Sequence, residues 1–246
     1  MKRQQEVLNR KLIAVITAVI IAVSAVFGAV MYLLDYYPAE ASDEISQGSV
    51  SVSVIDYGDG VIAYEPGYVS GGIIFYPESR VEYKAYENLM ASIASRGFLC
   101  LLVEMPLNQP SFGMNEAIAL EMRYPDITKW YMCGHGSGAK TAAAYASRNT
   151  DIFSGVILLG GHTSADLRDT GLNVISVYGS EDKVMSMGSY ERSKNKMPAD
   201  YAELVIEGGC HSYFGSYGIQ NGDGTPTITM TEQLKQTADF INSNFK

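Results

Sequence analysis

Cysteine is scarce in this chain of 246 residues, which has only three, at positions 100, 133 and 210. An odd, low count in a chain of this size does not indicate the disulfide framework that staples small secreted folds. No cysteine or histidine spacing matches a zinc site either. Cys100 and Cys133 lie in strand-like apolar runs, so we expect buried, inert thiols there.

Basic residues are also few. Lys and Arg number 18 against 27 Asp and Glu, and the formal net charge is −9. This acidity argues against nucleic acid or an anionic membrane surface as a partner. The run Asn221-Gly222-Asp223-Gly224 lacks the further carboxylates that a calcium loop needs, so we interpret it as a turn. The sequence therefore implies no cofactor and no metal site.

Charge is absent altogether from residues 12–34, an apolar run long enough to cross a bilayer as a helix. Residues 1–11 carry a net charge of +3, which places them in the cytoplasm and the rest of the chain outside. We predict a transmembrane signal anchor and a single-pass protein of the cell membrane. Two alternatives stay open. One is a signal cleaved at Ala39-Glu40-Ala41, giving a secreted protein, although signal cores are usually shorter. The other is a buried helix of a soluble protein.

After the anchor, the chain divides into a linker and one domain. Residues 35–48 are polar and acidic and contain Pro38, as is typical of a tether. Residues 49–246 suffice for one α/β domain with a full core. Antiparallel strands are expected at residues 49–54 and 61–64. Strands then alternate with helical segments, among them residues 82–96, 115–124, 186–197 and 231–245.

This order predicts a doubly wound, mostly parallel sheet of about eight strands. The segments between the core strands are short, so there is no room for a cap domain and the site should be open.

A strand, a tight glycine turn and an alanine-rich helix follow one another between Trp130 and Arg148. This arrangement is typical of a nucleophile elbow, G-x-S-x-G, in which a strained turn lifts a serine above the sheet. The register with glycine at both ends, residues 134–138, has Gly136 at its centre. Ser137 comes one residue late.

Functional groups of open α/β sheets gather at the carboxyl ends of the strands. Ser137, Asp182 and His211 each follow a predicted strand, in the order of a nucleophile, an acid and a base. His211 would take the proton of Ser137, and Asp182 would orient the imidazole. The backbone N–H groups of Ser137 and Glu78 would form the oxyanion hole, because Pro77 cannot donate.

Less favoured interpretations of these residues also exist. His211 could be a structural loop histidine, and Asp182 could form a turn, with Glu181 then supplying the acid. His135 and His162 are expected to be bystanders beside the site. Cys210 or Cys133 could in principle be the nucleophile, but the side chain of Cys210 should point away from its neighbour His211.

Several colinear segments match one known family. They are Phe75-Tyr76-Pro77 and residues 103–108, 130–146, 178–184, 207–215 and 220–224. Over about 150 residues the domain resembles the compact α/β-hydrolases related to dienelactone hydrolases, called alpha/beta hydrolase fold-5. The resemblance implies a hydrolase fold in which Asp182 and His211 are the acid and the base.

The resemblance breaks at two places. Family members have a glycine pair after Tyr-Pro, where this chain has Glu78-Ser79. They have Gly-His-Ser-x-Gly-Gly at the elbow, so Gly136 occupies the position that is normally serine.

Two functions follow. One is a serine hydrolase that acts on small-molecule or extracellular esters through Ser137. The other is an inactive pseudo-hydrolase that serves as a binding or scaffolding module. We favour the first, because a retained acid–base pair has no evident structural purpose.

Overall fold

The computed structural model describes residues 2–41 and 50–245, without the side chains of residues 2–8 and 33. Residues 42–48 of the predicted linker and residue 49 lie outside the described residues. The chain forms two compact units, Met1–Tyr36 and Tyr37–Lys246.

The first unit is one helix, α1 (Lys2–Leu34). Its stretch Asn9–Tyr32 has a mean hydropathy of 2.7 and is not buried within the molecule. By length and composition this stretch can cross a membrane. A retained anchor and a cleaved signal sequence both have these properties.

The second unit is built on one eight-stranded sheet, as the sequence predicts. Its strands lie in the order β1-β2-β4-β3-β5-β6-β7-β8. Only the pairs β1–β2 and β2–β4 are antiparallel, and all other pairs are parallel. The strands are β1 (Val52–Asp56), β2 (Val61–Pro66), β3 (Gly71–Tyr76), β4 (Phe98–Val103), β5 (Trp130–His135), β6 (Phe153–Leu159), β7 (Asn173–Gly179) and β8 (Ala202–Ile206).

Helices cover both faces of this sheet. Packed against one face are α2 (Glu87–Ala94) and α5 (Met230–Asn244), and α3 (Ser137–Ala146) and α4 (Met187–Lys194) lie on the other. Every residue of β3, β4 and β5 is buried, because helices cover the central strands on both sides. Since β3, β5, β7 and β8 are parallel, their carboxyl ends meet at one edge.

Two predicted helices differ from the structure. Residues 115–124 form successive turns with only a short 3₁₀ segment, Glu121–Arg123. The φ of Ala119 is +60°, which a continuous helix does not allow. The Tyr76 hydroxyl, bonded to the carbonyl of Met114 and the N–H of Ala117, fixes these turns. The last helix begins at Met230, one residue before the segment 231–245 that the sequence suggests, and Thr229 is its N-cap.

Residues 37–41 of the predicted linker belong to the domain. Tyr37 forms a parallel bridge with Val81, and the Glu40 N–H donates to the carbonyl of Ser216 at 2.8 Å. This stretch therefore has fixed backbone partners on the domain, which the sequence composition does not reveal.

Candidate active site

Between β5 and α3 the chain makes the tight turn that the sequence predicts. Gly136 has φ +51° and ψ −112°, a conformation that side-chain-bearing residues adopt only under strain. A Cβ on Gly134 would meet the carbonyl carbon of Gly138 at 2.4 Å, and one on Gly138 would meet the Pro77 carbonyl oxygen at 2.2 Å. The three glycines therefore let the strand, the helix and the loop after β3 come together.

The space above Gly136 is filled by a carboxylate. An ideal Cβ on Gly136 would lie 1.3 Å from Oε2 of Glu78. Any side chain at the centre of the elbow would thus begin where the Glu78 carboxylate now lies. Glycine at position 136 and glutamate at position 78 therefore depend on each other, because the Glu78 carboxylate occupies the space that a serine side chain would need.

Glu78 is 9% exposed and is held by three donors. Its Oε2 accepts from the Ser137 N–H at 2.8 Å, and its Oε1 accepts from the Ser79 N–H at 2.7 Å. The Ser137 hydroxyl also donates to Oε1, at 2.7 Å. The two backbone N–H groups bind different oxygens of the carboxylate, and the Ser79 N–H also donates to Ser137 Oγ at 2.9 Å. Backbone N–H groups that bind an anionic group in this way are the kind of donors that an oxyanion hole uses.

The Glu78 N–H, which the sequence suggests as the second donor of an oxyanion hole, donates to the hydroxyl of Tyr86 at 3.2 Å and is directed away from the carboxylate. The Ser79 N–H is the backbone donor that lies beside the Ser137 N–H at this carboxylate. The reason is local, because the side chain of Glu78 folds back over its own loop toward the N-terminus of α3.

His211 and Asp182 come together as predicted. Asp182 follows β7, and its Oδ1 accepts from the N–H groups of Val184 at 3.0 Å and Met185 at 2.8 Å. Its Oδ2 lies 2.9 Å from Nδ1 of His211, which follows β8. Both side chains are buried. With Nδ1 of His211 directed at Asp182, Nε2 faces the Glu78 carboxylate.

His211 lies beside Glu78 rather than Ser137. Its Nε2 is 3.6 Å from Oε2 of Glu78, whereas the Ser137 hydroxyl bonds to Glu78 and lies 2.6 Å from the Ser79 hydroxyl. Burial opposes the charged form of His211, but the carboxylates of Asp182 and Glu78 outweigh it and raise the pKa of His211 to about 9. The imidazole is therefore protonated at neutral pH.

His135 lies behind His211, with ring centroids 4.2 Å apart. Its Nδ1 is 2.8 Å from the hydroxyl of Tyr86. Burial, together with the charge of His211, holds the pKa of His135 well below its usual value, so this ring is neutral. His135 thus lies beside the site as a neutral ring, and its role as a bystander stays a prediction.

Glu78, His135 and His211 offer ligand atoms that all lie within 4.8 Å of one another. Nε2 of each histidine is buried without a hydrogen-bond partner among the described residues. A metal ion here would have to displace the proton on His211 and compete with the three donors that already bond to Glu78. We therefore interpret these three side chains as a hydrogen-bonded cluster in which His211 carries a proton, and not as a metal site.

Asp223 is a structural member of the site that sequence reasoning took for part of a simple turn. Its carboxylate accepts from the N–H and hydroxyl of Ser212, at 2.8 and 2.7 Å, and from the N–H of His211 at 3.3 Å. It also accepts from the N–H of Lys183 at 3.4 Å, so it connects the loops that carry His211 and Asp182. Burial disfavours its charge, but the hydrogen bonds led by Ser212 prevail and lower the pKa of Asp223. A carboxylate used in this way is not free for calcium.

All three cysteines are buried free thiols. Burial raises the pKa of Cys210 to about 12 and that of Cys133 well above its usual value. Both thiols are protonated at neutral pH, which argues against a cysteine nucleophile.

An open cavity of about 340 Å³ gives access to this centre. Its lining includes Glu78, Ser137, His211, Lys140 and His162. The arrangement thus combines two backbone N–H donors, a hydroxyl, a carboxylate and an imidazolium at the carboxyl edge of a parallel sheet. These are the parts of an acyl-transfer hydrolase site, with one carboxylate added.

Comparison with known proteins identifies the class. The alpha/beta hydrolase family matches residues 72–235, which includes the elbow, Asp182 and His211. The chain belongs to this family, and its membership supports hydrolase chemistry. A search of curated proteins finds no match.

Solved structures share the fold. One is a predicted CIB-like hydrolase from Thermoplasma acidophilum, with 13% identity, a TM-score of 0.54 and coverage of 79% of this chain and 99% of that one. Another is TT1662 from Thermus thermophilus, with 15% identity, a TM-score of 0.55 and coverage of 80% and 98%. At such identities the likeness concerns the fold alone.

Proposed function

We propose that the protein is a membrane-anchored, extracytoplasmic hydrolase that cleaves ester-type acyl bonds with Ser137 as the nucleophile. One observation carries this proposal: the Glu78 carboxylate bridges the displaced serine and the histidine. The Ser137 hydroxyl lies 2.7 Å from Glu78, Glu78 lies 3.6 Å from His211, and His211 lies 2.9 Å from Asp182. The extra carboxylate thus compensates for the one-residue shift of the serine.

The first chemical step uses Glu78 as the base. Ser137 Oγ gives its proton to Glu78 and attacks the acyl carbon, whose carbonyl becomes a tetrahedral oxyanion. Protonated Glu78 is neutral and binds the N–H groups of Ser79 and Ser137 less strongly, so these donors become available to the oxyanion. As the oxyanion collapses, His211 gives its Nε2 proton to the departing alkoxide.

The second step returns the enzyme to its starting state. Water attacks the acyl-Ser137 ester, and the now neutral His211 takes a proton from that water. The carboxylic acid product leaves, and Glu78 returns its proton to Ser137 Oγ. The bond formed to Ser137 in the first step is the bond broken in the second, so no further reactant than water is required.

The location at the membrane is part of the proposal. It is supported by the apolar stretch Asn9–Tyr32 and by the basic residues among the first 11. Small-molecule or extracellular esters are the substrates this location favours. A cleaved signal would give the same domain as a secreted protein.

A second candidate function is a binding module without catalysis. It is favoured by the occupancy of both hole donors by Glu78, which leaves no N–H free for a substrate oxyanion while the carboxylate is in place. In this case the cavity would hold a ligand and leave it unchanged.

The test is turnover of p-nitrophenyl acetate by the full chain in neutral detergent. We expect Ser137→Ala to lower kcat by at least about 10³ and Glu78→Gln by about 10²–10⁴, since each removes a participant in proton transfer or attack. Ser147→Ala, a serine of the last turn region of α3 whose hydroxyl bonds to the carbonyl of Ala144, is the matched control.

Retained activity in Ser137→Ala would overturn the serine mechanism. A wild-type protein no faster than buffer, with intact folding, would favour the binding module instead.

A further inference from the structure

A second cavity opens beside the catalytic cavity. It measures about 200 Å³, and His162 lines both. Arg192 and Lys196 line the second cavity, and Lys140 lines the first. A substrate seated at Ser137 and extending past His162 would therefore run between three cationic side chains.

The two cavities carry a cluster of positive charges although the chain as a whole has a net charge of −9. Burial lowers the pKa of His162, and the charges of Lys140, Arg192 and Lys196 lower it further. All three cations therefore lie close enough to interact with His162, the residue that lines both cavities. Asp166 lies within electrostatic reach of Lys196, but its carboxylate is already paired with Arg168 at 2.5 Å. The second cavity therefore keeps a net positive charge from Arg192 and Lys196.

The two cations of the second cavity are also held in place. Arg192 Nη2 donates to Ser189 Oγ at 3.0 Å, and Lys196 Nζ donates to the carbonyl of Ser164 at 2.9 Å. Each of these bonds uses one donor, and a guanidinium has five and an ammonium three. The remaining donors can bind the oxygens of a carboxylate or a phosphate.

At the other end of the path, Glu78 lines the catalytic cavity, and the carboxylates of Glu78 and Asp182 outnumber the one imidazolium of His211, so an anionic end of the substrate is disfavoured there. The charge distribution therefore orients an elongated substrate, with its anionic end at Arg192 and Lys196 and its uncharged ester bond at Ser137.

We propose that the second cavity is a subsite for an anionic oxygen group, carboxylate or phosphate, on the far end of the ester substrate. This substrate class rests on the proposed hydrolase function. It narrows that function from esters in general to acidic esters.

The experiment compares p-nitrophenyl hydrogen adipate with its methyl ester, which has the same acyl chain without the charge. The full chain in neutral detergent at low salt should favour the acidic ester by about tenfold in kcat/KM, and salt should reduce this preference. Arg192→Gln combined with Lys196→Gln should bring the ratio near one.

The matched control combines Lys129→Gln with Lys235→Gln, which removes the same charge at the start of β5 and on α5, away from the cavity. An unchanged ratio is expected there. An equal loss of preference in the control would overturn the subsite, because the effect would then come from net charge.

A second measurement does not depend on turnover. Calorimetric titration with inorganic phosphate should show binding to the wild-type chain and none to the Arg192/Lys196 double variant. If phosphate binds in this way but no ester is hydrolysed, the subsite stands and the hydrolase function fails. If esters are hydrolysed without preference and phosphate does not bind, the hydrolase function stands and the subsite is wrong.

Discussion

The strongest consequence of the structure concerns Gly136 and Glu78. Replacing Gly136 by alanine places a Cβ 1.3 Å from Glu78 Oε2, so the carboxylate must leave its position. The same replacement at Gly171 also imposes a positive φ, of +73°, but meets no atom within 4 Å. Gly171→Ala therefore controls for a positive φ without displacing Glu78, while the ψ of −112° at Gly136 adds backbone strain of its own.

The expected difference follows from the bonds that Glu78 would lose. Backbone strain costs about 1–3 kcal/mol in either variant. Displacing Glu78 breaks its hydrogen bonds to Ser79 and Ser137, and one bond to a charged group contributes about 1.5–3 kcal/mol. We therefore expect Gly136→Ala to cost at least about 2 kcal/mol more than Gly171→Ala, an additional loss of about 4–8 °C in Tm.

Thermal unfolding of the full chain in detergent measures this difference. The only tryptophan, Trp130, is 3% exposed, so its fluorescence reports on unfolding of the domain. Both glycine variants are then repeated in a Glu78→Ala background. With the carboxylate gone, the excess cost of Gly136→Ala over Gly171→Ala should fall by at least about 2 kcal/mol, and any remainder reflects the backbone strain at Gly136.

Equal Tm losses for the two glycine variants in the wild-type background would refute the reasoning, because the Glu78 carboxylate could not then lie over Gly136. An excess for Gly136→Ala that does not shrink in the Glu78→Ala background would show that the Glu78 carboxylate is not its cause.

Three further results are expected from thermal unfolding. The raised pKa of His211 stabilises the fold by about 3 kcal/mol; this stabilisation is fully present below pH ~6.5 and is lost as the pH rises through about 9. Glu78→Gln should make the loss of stability between these pH values smaller. Identical pH profiles of stability for the wild type and Glu78→Gln would contradict this expectation. Asp223→Ala should cost about 3 kcal/mol of stability at neutral pH. The cost should become smaller as the pH falls below about 4, because protonation of Asp223 then removes the stabilisation that its lowered pKa reflects. A cost that does not change with pH would show that the charge of Asp223 does not contribute to stability. Thr229→Ala should cost about 1 kcal/mol by removing the α5 cap, whereas Thr231→Ala should cost much less; the reverse order would place the cap at Thr231.

Much of the architecture was predictable because buried parallel strands have a plain signature. The apolar runs that became β3 to β7 and the glycine turn at Gly136 follow from local patterning. Residues 115–124 misled because their spacing fits a helix, while the Tyr76 hydroxyl and the positive φ of Ala119 fix turns instead. A distant side chain overrode the local preference.

The sequence by itself determined the class of fold, the apolar N-terminal helix and the proximity of Asp182 to His211, because parallel strands bring their carboxyl ends to one edge whatever else the chain contains. Only the tertiary structure decided what replaces the elbow serine. Gly136 and Glu78 are 58 residues apart, and no spacing rule relates them. Their relation depends on the side-chain torsions of one glutamate folding into a space that the absence of a Cβ leaves open. In this buried position the loop carboxylate of Glu78 joins Asp182 in raising the pKa of His211, against the opposing effect of burial.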